Sequence, residues 1–147
     1  TIWGPAHLGD THYLRIAIGR LREKLLAVVE DHPGASVTGP RDVDPAMGEP
    51  LEPGTRRLPG NVHLVVDGGS ADALLFALDM AGVDSSSGSA CTAGVAEPSH
   101  VVLALGRPEA DARATGRLTL GHTTTEADVE ALIAALPAAL DAAGGTR

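Results

Sequence analysis

A chain of 147 residues, 44% of them hydrophobic, is long enough to close one folded core, and a formal charge of −8 with only 11 Lys+Arg leaves no cationic cluster for a nucleic-acid surface. No apolar run is long enough to span a bilayer, nothing reads as a signal peptide, and a single cysteine fits a reducing cytoplasm best. Aromatic residues are limited to Trp3, Tyr13 and Phe76, so the core must come from aliphatic helix faces and Val-rich strands. Residues 1–9 hold Gly4-Pro5 and no period, which reads as a connector preceding a single domain over 10–143 and a tail at 144–147; Thr1 in place of Met suits a processed or excised piece.

From Asp10, an N-cap candidate, to Glu30, apolar residues recur at Leu14, Ile18, Leu21, Leu25 and Val28 or Val29, with Arg15, Arg22 and Glu23 on the polar side. This predicts a long amphipathic helix ended by His32-Pro33-Gly34, with a short strand over Ala35 to Thr38. Residues 39–57 carry Pro40, Pro45, Pro50, Pro53, Gly48 and Gly54 among acidic residues, a composition that predicts a mobile surface loop. Val62 to Val66 reads as a buried strand after the turn at Leu58-Pro59-Gly60-Asn61. Ser70 should cap a helix over Ala71–Ala81, with Leu74, Leu75, Leu78 and Phe76 as candidates for its inner face and Gly82 as its stop.

Beyond a Ser/Gly-rich run, Pro98-Ser99 opens a short helix through Leu105, with Val101, Val102 and Leu105 as its apolar face. Gly116 to Leu120 alternates as a strand does. Thr123 and Glu126 are spaced as a capping box before a last helix marked by Val129, Leu132, Ile133, Leu136 and Leu140; Glu126, Asp128 and Glu130 would favour its N-terminus through the helix dipole. The pattern is α+β: a small antiparallel or mixed sheet covered by helices.

Chemistry concentrates at Cys91, within Ser85-Ser86-Ser87-Gly88-Ser89-Ala90-Cys91-Thr92-Ala93-Gly94. Unpaired cysteines usually pack among apolar side chains, whereas this one has small polar neighbours and no second cysteine to bridge, so a nucleophile competes with an inert surface thiol. His63, His100 and His122 could be imagined with it around zinc, but their irregular separations lack paired-ligand spacing and no metal site is expected. Gly68-Gly69 lacks both a P-loop Lys-Ser/Thr and the dinucleotide glycine pattern, and reads as a turn.

Taken in order, Arg57-Leu58-Pro59-Gly60-Asn61-Val62-His63, Ala73-Leu74-Leu75, Ser86-Ser87-Gly88-Ser89-Ala90-Cys91-Thr92, Glu97-Pro98-Ser99-His100-Val101 and Arg117-Leu118-Thr119-Leu120-Gly121-His122-Thr123 resemble the C-terminal part of pyridoxal-phosphate cysteine desulfurases of the NifS/IscS-like group I. The resemblance is strong over residues 57–137 and looser over the first helix. It implies the C-terminal small domain of a fold-type I pyridoxal-phosphate enzyme, with Cys91 on the loop 85–94. That cysteine would take sulfur from cofactor-bound L-cysteine as a persulfide, release L-alanine, and pass the sulfur to an acceptor protein. It also implies that Arg117 holds the substrate carboxylate, with Thr119 where the family writes Ser. A planar, two-pronged cation suits a carboxylate, and a thiolate needs access and positive potential.

Complete members of the family carry a large domain with a Schiff-base lysine and form homodimers. The only lysine here is Lys24, on the polar side of the first helix, and no Ser/Thr-x-His-Lys motif is present. The chain alone is therefore expected to bind no pyridoxal phosphate; its expected partners are the large domain or a full-length desulfurase subunit, and a sulfur acceptor. The alternative reading is a stand-alone sulfur carrier or interaction module that receives persulfide sulfur on Cys91.

Overall fold

Period-2 alternation along the strands decides which way the sheet faces. The computed structural model describes residues 8–44, 46–52, 55–87 and 97–144. Three strands, β1 (Ala35–Val37), β2 (Asn61–Val66) and β3 (Thr115–Thr119), form one antiparallel sheet in the order β1-β2-β3. In β2, Val62, Leu64 and Val66 are fully buried in the main core together with Leu118 of β3. That face is covered by α1 (Leu8–Asp31), α2 (Ala71–Met80) and α5 (Glu126–Ala143), which supply Leu25, Leu26, Val29, Leu74, Leu78, Leu136 and Leu140. Alternate residues point the other way. On that second face Val65 packs with Val102 of α3 (His100–Ala104) and Ala112 of α4 (Glu109–Arg113), while His63 and Arg117 stand directly opposite one another across the β2–β3 ladder.

Several elements form where their local chemistry asks for them. Ser70 caps α2 by accepting from the Ala73 amide, and Gly82, with φ of 75°, takes the left-handed turn that ends the helix. Ser99 caps α3 in the same way through the Val102 amide. The fold is α+β, as its alternating periods predict.

Other expectations are corrected. Helix α1 is already helical at Leu8, which puts Asp10 inside it instead of at its cap. Phe76 is 68% exposed because the stripe Leu74–Leu78 alone meets α5 and the sheet. In α3 only Val102 is buried; Val101 and Leu105 remain more than half exposed, since five residues present a single position to the sheet. The capping box of α5 is real but built two residues later, from Thr125 and Asp128, whose carboxylate accepts from the Thr125 amide and is held below its ordinary range by that bond. Helix α4 was not anticipated, being one short acidic-to-basic turn, Glu109 to Arg113, with an i,i+4 ion pair of 2.7 Å.

The largest correction concerns Arg22. Arg22 is fully buried, not on a solvated helix face, and Asp42 and Arg57 of the Pro-rich segment are buried with it. The segment has no regular element, yet it is packed against α1.

Candidate functional site

The second face of the sheet borders a cavity of about 340 Å³. Its wall is apolar at Leu58, Val101, Val102 and Leu105 and cationic at Arg57 and Arg117, with His63 between strands and turn. Arg117 reaches it because Leu118 faces the main core and the neighbouring position on β3 must face away. Its backbone is held twice: by the ladder to His63, and by a bridge in which the Arg117 amide donates to the Ser86 carbonyl at 2.7 Å and the Ser86 amide donates back at 3.2 Å. The side chain is steadied by Nε donating to Ser86 Oγ at 3.2 Å. Both outer guanidinium nitrogens are left for a ligand, with no acceptor among the described residues.

Arg57 stands on a platform built by buried charge. Arg22 Nη2 donates to Asp42 Oδ2 at 2.7 Å and its Nη1 to the Leu58 carbonyl at 3.0 Å. The other Asp42 oxygen accepts from the Arg56 and Arg57 amides at 2.6 and 3.1 Å. One buried carboxylate thus fixes the backbone at 56–57, and one buried guanidinium fixes it at 58. The Arg57 side chain then spends Nε on the Pro40 carbonyl at 2.8 Å and Nη2 on the Thr38 carbonyl. Burial first, and the Arg22 and Arg41 charges next, push its pKa down, with Asp42 and Glu23 opposing.

His63 contacts Thr38 Oγ1 through Nδ1 at 2.5 Å. Burial, then the charges of Arg117 and Arg57, hold its pKa below the ordinary 6.5, so the ring is neutral at pH 7. A low-dielectric pocket with two guanidinium groups and an uncharged imidazole is suited to a small anion.

No protein-family profile matches the chain. Individual relatives do. It is 44% identical over 142 residues to the IscS-like cysteine desulfurase of Mycobacterium tuberculosis, covering 91% of this chain and 32% of that protein. It is 36% identical over 121 residues to cysteine desulfurase IscS of Clostridium botulinum, covering 82% of this chain and 28% of that one. The crystal structure of a NifS-like protein from Rickettsia africae superimposes with a TM-score of 0.63 at 26% identity, over 86% of this chain and 29% of that one. This segment is homologous to part of those cysteine desulfurases. It spans about a third of the length of the curated relatives it matches, and its sheet and helices correspond to the C-terminal domain of such enzymes.

Against that background, Arg117 lies at the cavity on a rigid strand, whereas Cys91 falls outside the described residues. The flanks of its loop are described. Ser86 is bridged to Arg117, and Ser99, on the far flank, lines the same cavity and donates its amide to the Ala112 carbonyl at 2.8 Å. Of the histidines once weighed as zinc ligands, only His63 borders the cavity; His100 and His122 are exposed. Among the described residues no group of three or more His, Cys, Asp or Glu is arranged to hold a metal ion, and no helix is long and apolar enough to cross a membrane.

Sequence reasoning missed Arg57, His63, Thr38 and Ser86 as site residues. Arg57 and His63 were visible inside the Arg-Leu-Pro-Gly-Asn-Val-His run; no spacing rule says that a turn arginine will line one pocket with a strand arginine.

The fit to pyridoxal phosphate can be tested on the amine. Lys24, the only lysine in the sequence, donates to Glu126 at 2.6 Å across the α1–α5 contact, and that hydrogen bond raises its pKa above the ordinary 10.5. An imine-forming lysine must instead give up its proton. The residues of this chain therefore do not fit an internal aldimine with the cofactor, and the cationic cavity fits a carboxylate.

Proposed function

We propose that this chain supplies the substrate-carboxylate clamp and the sulfur-accepting thiol of a cysteine desulfurase. Arg117 would hold the carboxylate of L-cysteine, and Cys91 would take its sulfur. The observation that carries this reading is the double bridge between Ser86 and Arg117, which ties the start of the Cys91 run to the carboxylate residue. Cys91 lies five positions after Ser86, so the chain cannot place the two Cα atoms more than about 18 Å apart. The two arginines at the cavity provide positive potential for an approaching thiolate.

In the proposed exchange the Cys91 thiolate supplies the electron pair of a new S–S bond to the substrate sulfur. The C–S pair remains with carbon, which takes up a proton to become the methyl group of alanine. Cys91 is left as a persulfide for an acceptor protein. The amine that activates the substrate, and the pyridoxal phosphate it would carry, must come from outside these residues, in an assembly that for the intact enzyme is a homodimer.

The engaged Lys24 also favours a second reading, a sulfur carrier charged by a complete desulfurase. One experiment addresses both. After incubation with an active desulfurase and L-cysteine, mass spectrometry of the chain should show a one-sulfur adduct on Cys91, absent in Cys91→Ser. No adduct would count against both roles for Cys91. Added alone to L-cysteine and pyridoxal phosphate, the chain should release no alanine.

A further inference from the structure

We propose that Arg57 is a second carboxylate-binding residue, closing with Arg117 on a single carboxylate head group in the cavity. The inference rests on the reading of Arg117 as the carboxylate ligand, and extends it to a residue that has no assigned role.

The donor inventory points to it. A guanidinium offers five N–H donors on three nitrogens. Arg57 spends Nε and Nη2 on the Pro40 and Thr38 carbonyls, which are neutral, so its positive charge is anchored without being cancelled there. Its Nη1 meets no acceptor among the described residues, and Arg57 lines the cavity. Arg117 spends only Nε, on Ser86. Three guanidinium nitrogens from the two arginines that line the cavity therefore remain for a ligand. One carboxylate has about four lone-pair sites on two oxygens, enough for a two-pronged contact from Arg117 and a third bond from Arg57.

The surroundings favour one small head group. Leu58, Val101, Val102 and Leu105 give the cavity an apolar wall on one side, of which only Val102 is buried. His63 stands directly opposite Arg117 across the β2–β3 ladder and lines the same cavity as Arg57, and being neutral it adds no further positive charge at pH 7. The Arg57 backbone is fixed by the buried Asp42 and its side chain by the Pro40 and Thr38 carbonyls, so little side-chain entropy is lost on binding.

The test uses the full chain, isotope-labelled, with acetate as the probe and inorganic phosphate as competitor, read by NMR at the arginine Nε–H signals and the His63 ring. Acetate should perturb Arg57 and Arg117 saturably and raise the His63 pKa. Arg57→Gln should weaken acetate binding about tenfold, the loss of one charge-assisted bond, and Arg117→Gln at least as much. Arg57→Lys, which keeps the charge but not the fork, should fall between and carries the comparison if the glutamine variant does not fold. Wild-type affinity in Arg57→Gln with loss in Arg117→Gln would overturn this inference and leave the Arg117 reading standing. Unchanged affinity in both variants, or no saturable shift in the wild type, would overturn both. Phosphate binding tighter than acetate would overturn the carboxylate as ligand class.

Discussion

Arg22 and Lys24 sit two residues apart on α1, each in an ion pair, and their surroundings could hardly differ more. Arg22 is fully buried against Asp42, whose side chain is 4% exposed, and the pair also holds the backbone of 56–58. Lys24 and Glu126 form an equally short pair with side chains 46% and 65% exposed. Water screens the second pair and would solvate either partner alone; it cannot reach the first. Distance alone thus says little about what an ion pair contributes. The buried pair decides where a loop goes, and through that loop where Arg57 stands at the cavity.

The largest effect should come from breaking the buried pair. Asp42→Ala leaves two amides without their acceptor and the Arg22 guanidinium with Glu23 as its one carboxylate partner among the described residues, and should cost about 1–3 kcal/mol in denaturant unfolding, with loss of the Arg57 signals expected for a fixed side chain. A cost near that of an ordinary surface substitution would mean that water replaces the carboxylate and that the platform is not closed.

A smaller, pH-dependent effect belongs to His63. Its native pKa is depressed, so between the unfolded value near 6.5 and the lower native value the unfolded chain binds the proton and the native chain does not. Stability should be level above pH 6.5 and fall as pH drops through that window. His63→Gln should remove this part of the acid sensitivity. An unchanged pH profile in that variant would show that His63 does not carry it.

The smallest effect is expected at the exposed pair. Lys24→Ala should leave the Tm within error of the parent, and added salt should not change that result. A clear loss would show that the α1–α5 contact depends on this pair more than its exposure suggests.

The legible parts of the sequence were those where local chemistry and burial agree. The stripe on α1, the continuous Val-rich run of β2, the Ser70 and Ser99 caps and the Gly82 stop all appear in the structure where their periods and caps put them, within a residue or two. The ordered motifs led to the family and to Arg117. What failed was the use of polarity as a proxy for exposure. Arg22 was placed on the polar face because it is charged, and it is fully buried. Conversely, Phe76, Val101 and Leu105 were candidates for the interior because they are apolar, and all three are mostly exposed.

By itself the sequence determined the elements other than α4, the α+β class and the identity of Cys91 and Arg117 as residues proposed for chemistry, because helix caps, strand alternation and ordered motifs are written within short spans of chain. Only the tertiary structure decided that Asp42, twenty residues from Arg22, would bury that charge, and that Arg57 would then line one cavity with Arg117. Such pairings depend on which groups the folded chain shuts away from water together, and a buried charge is tolerated only where a partner distant in sequence arrives to meet it.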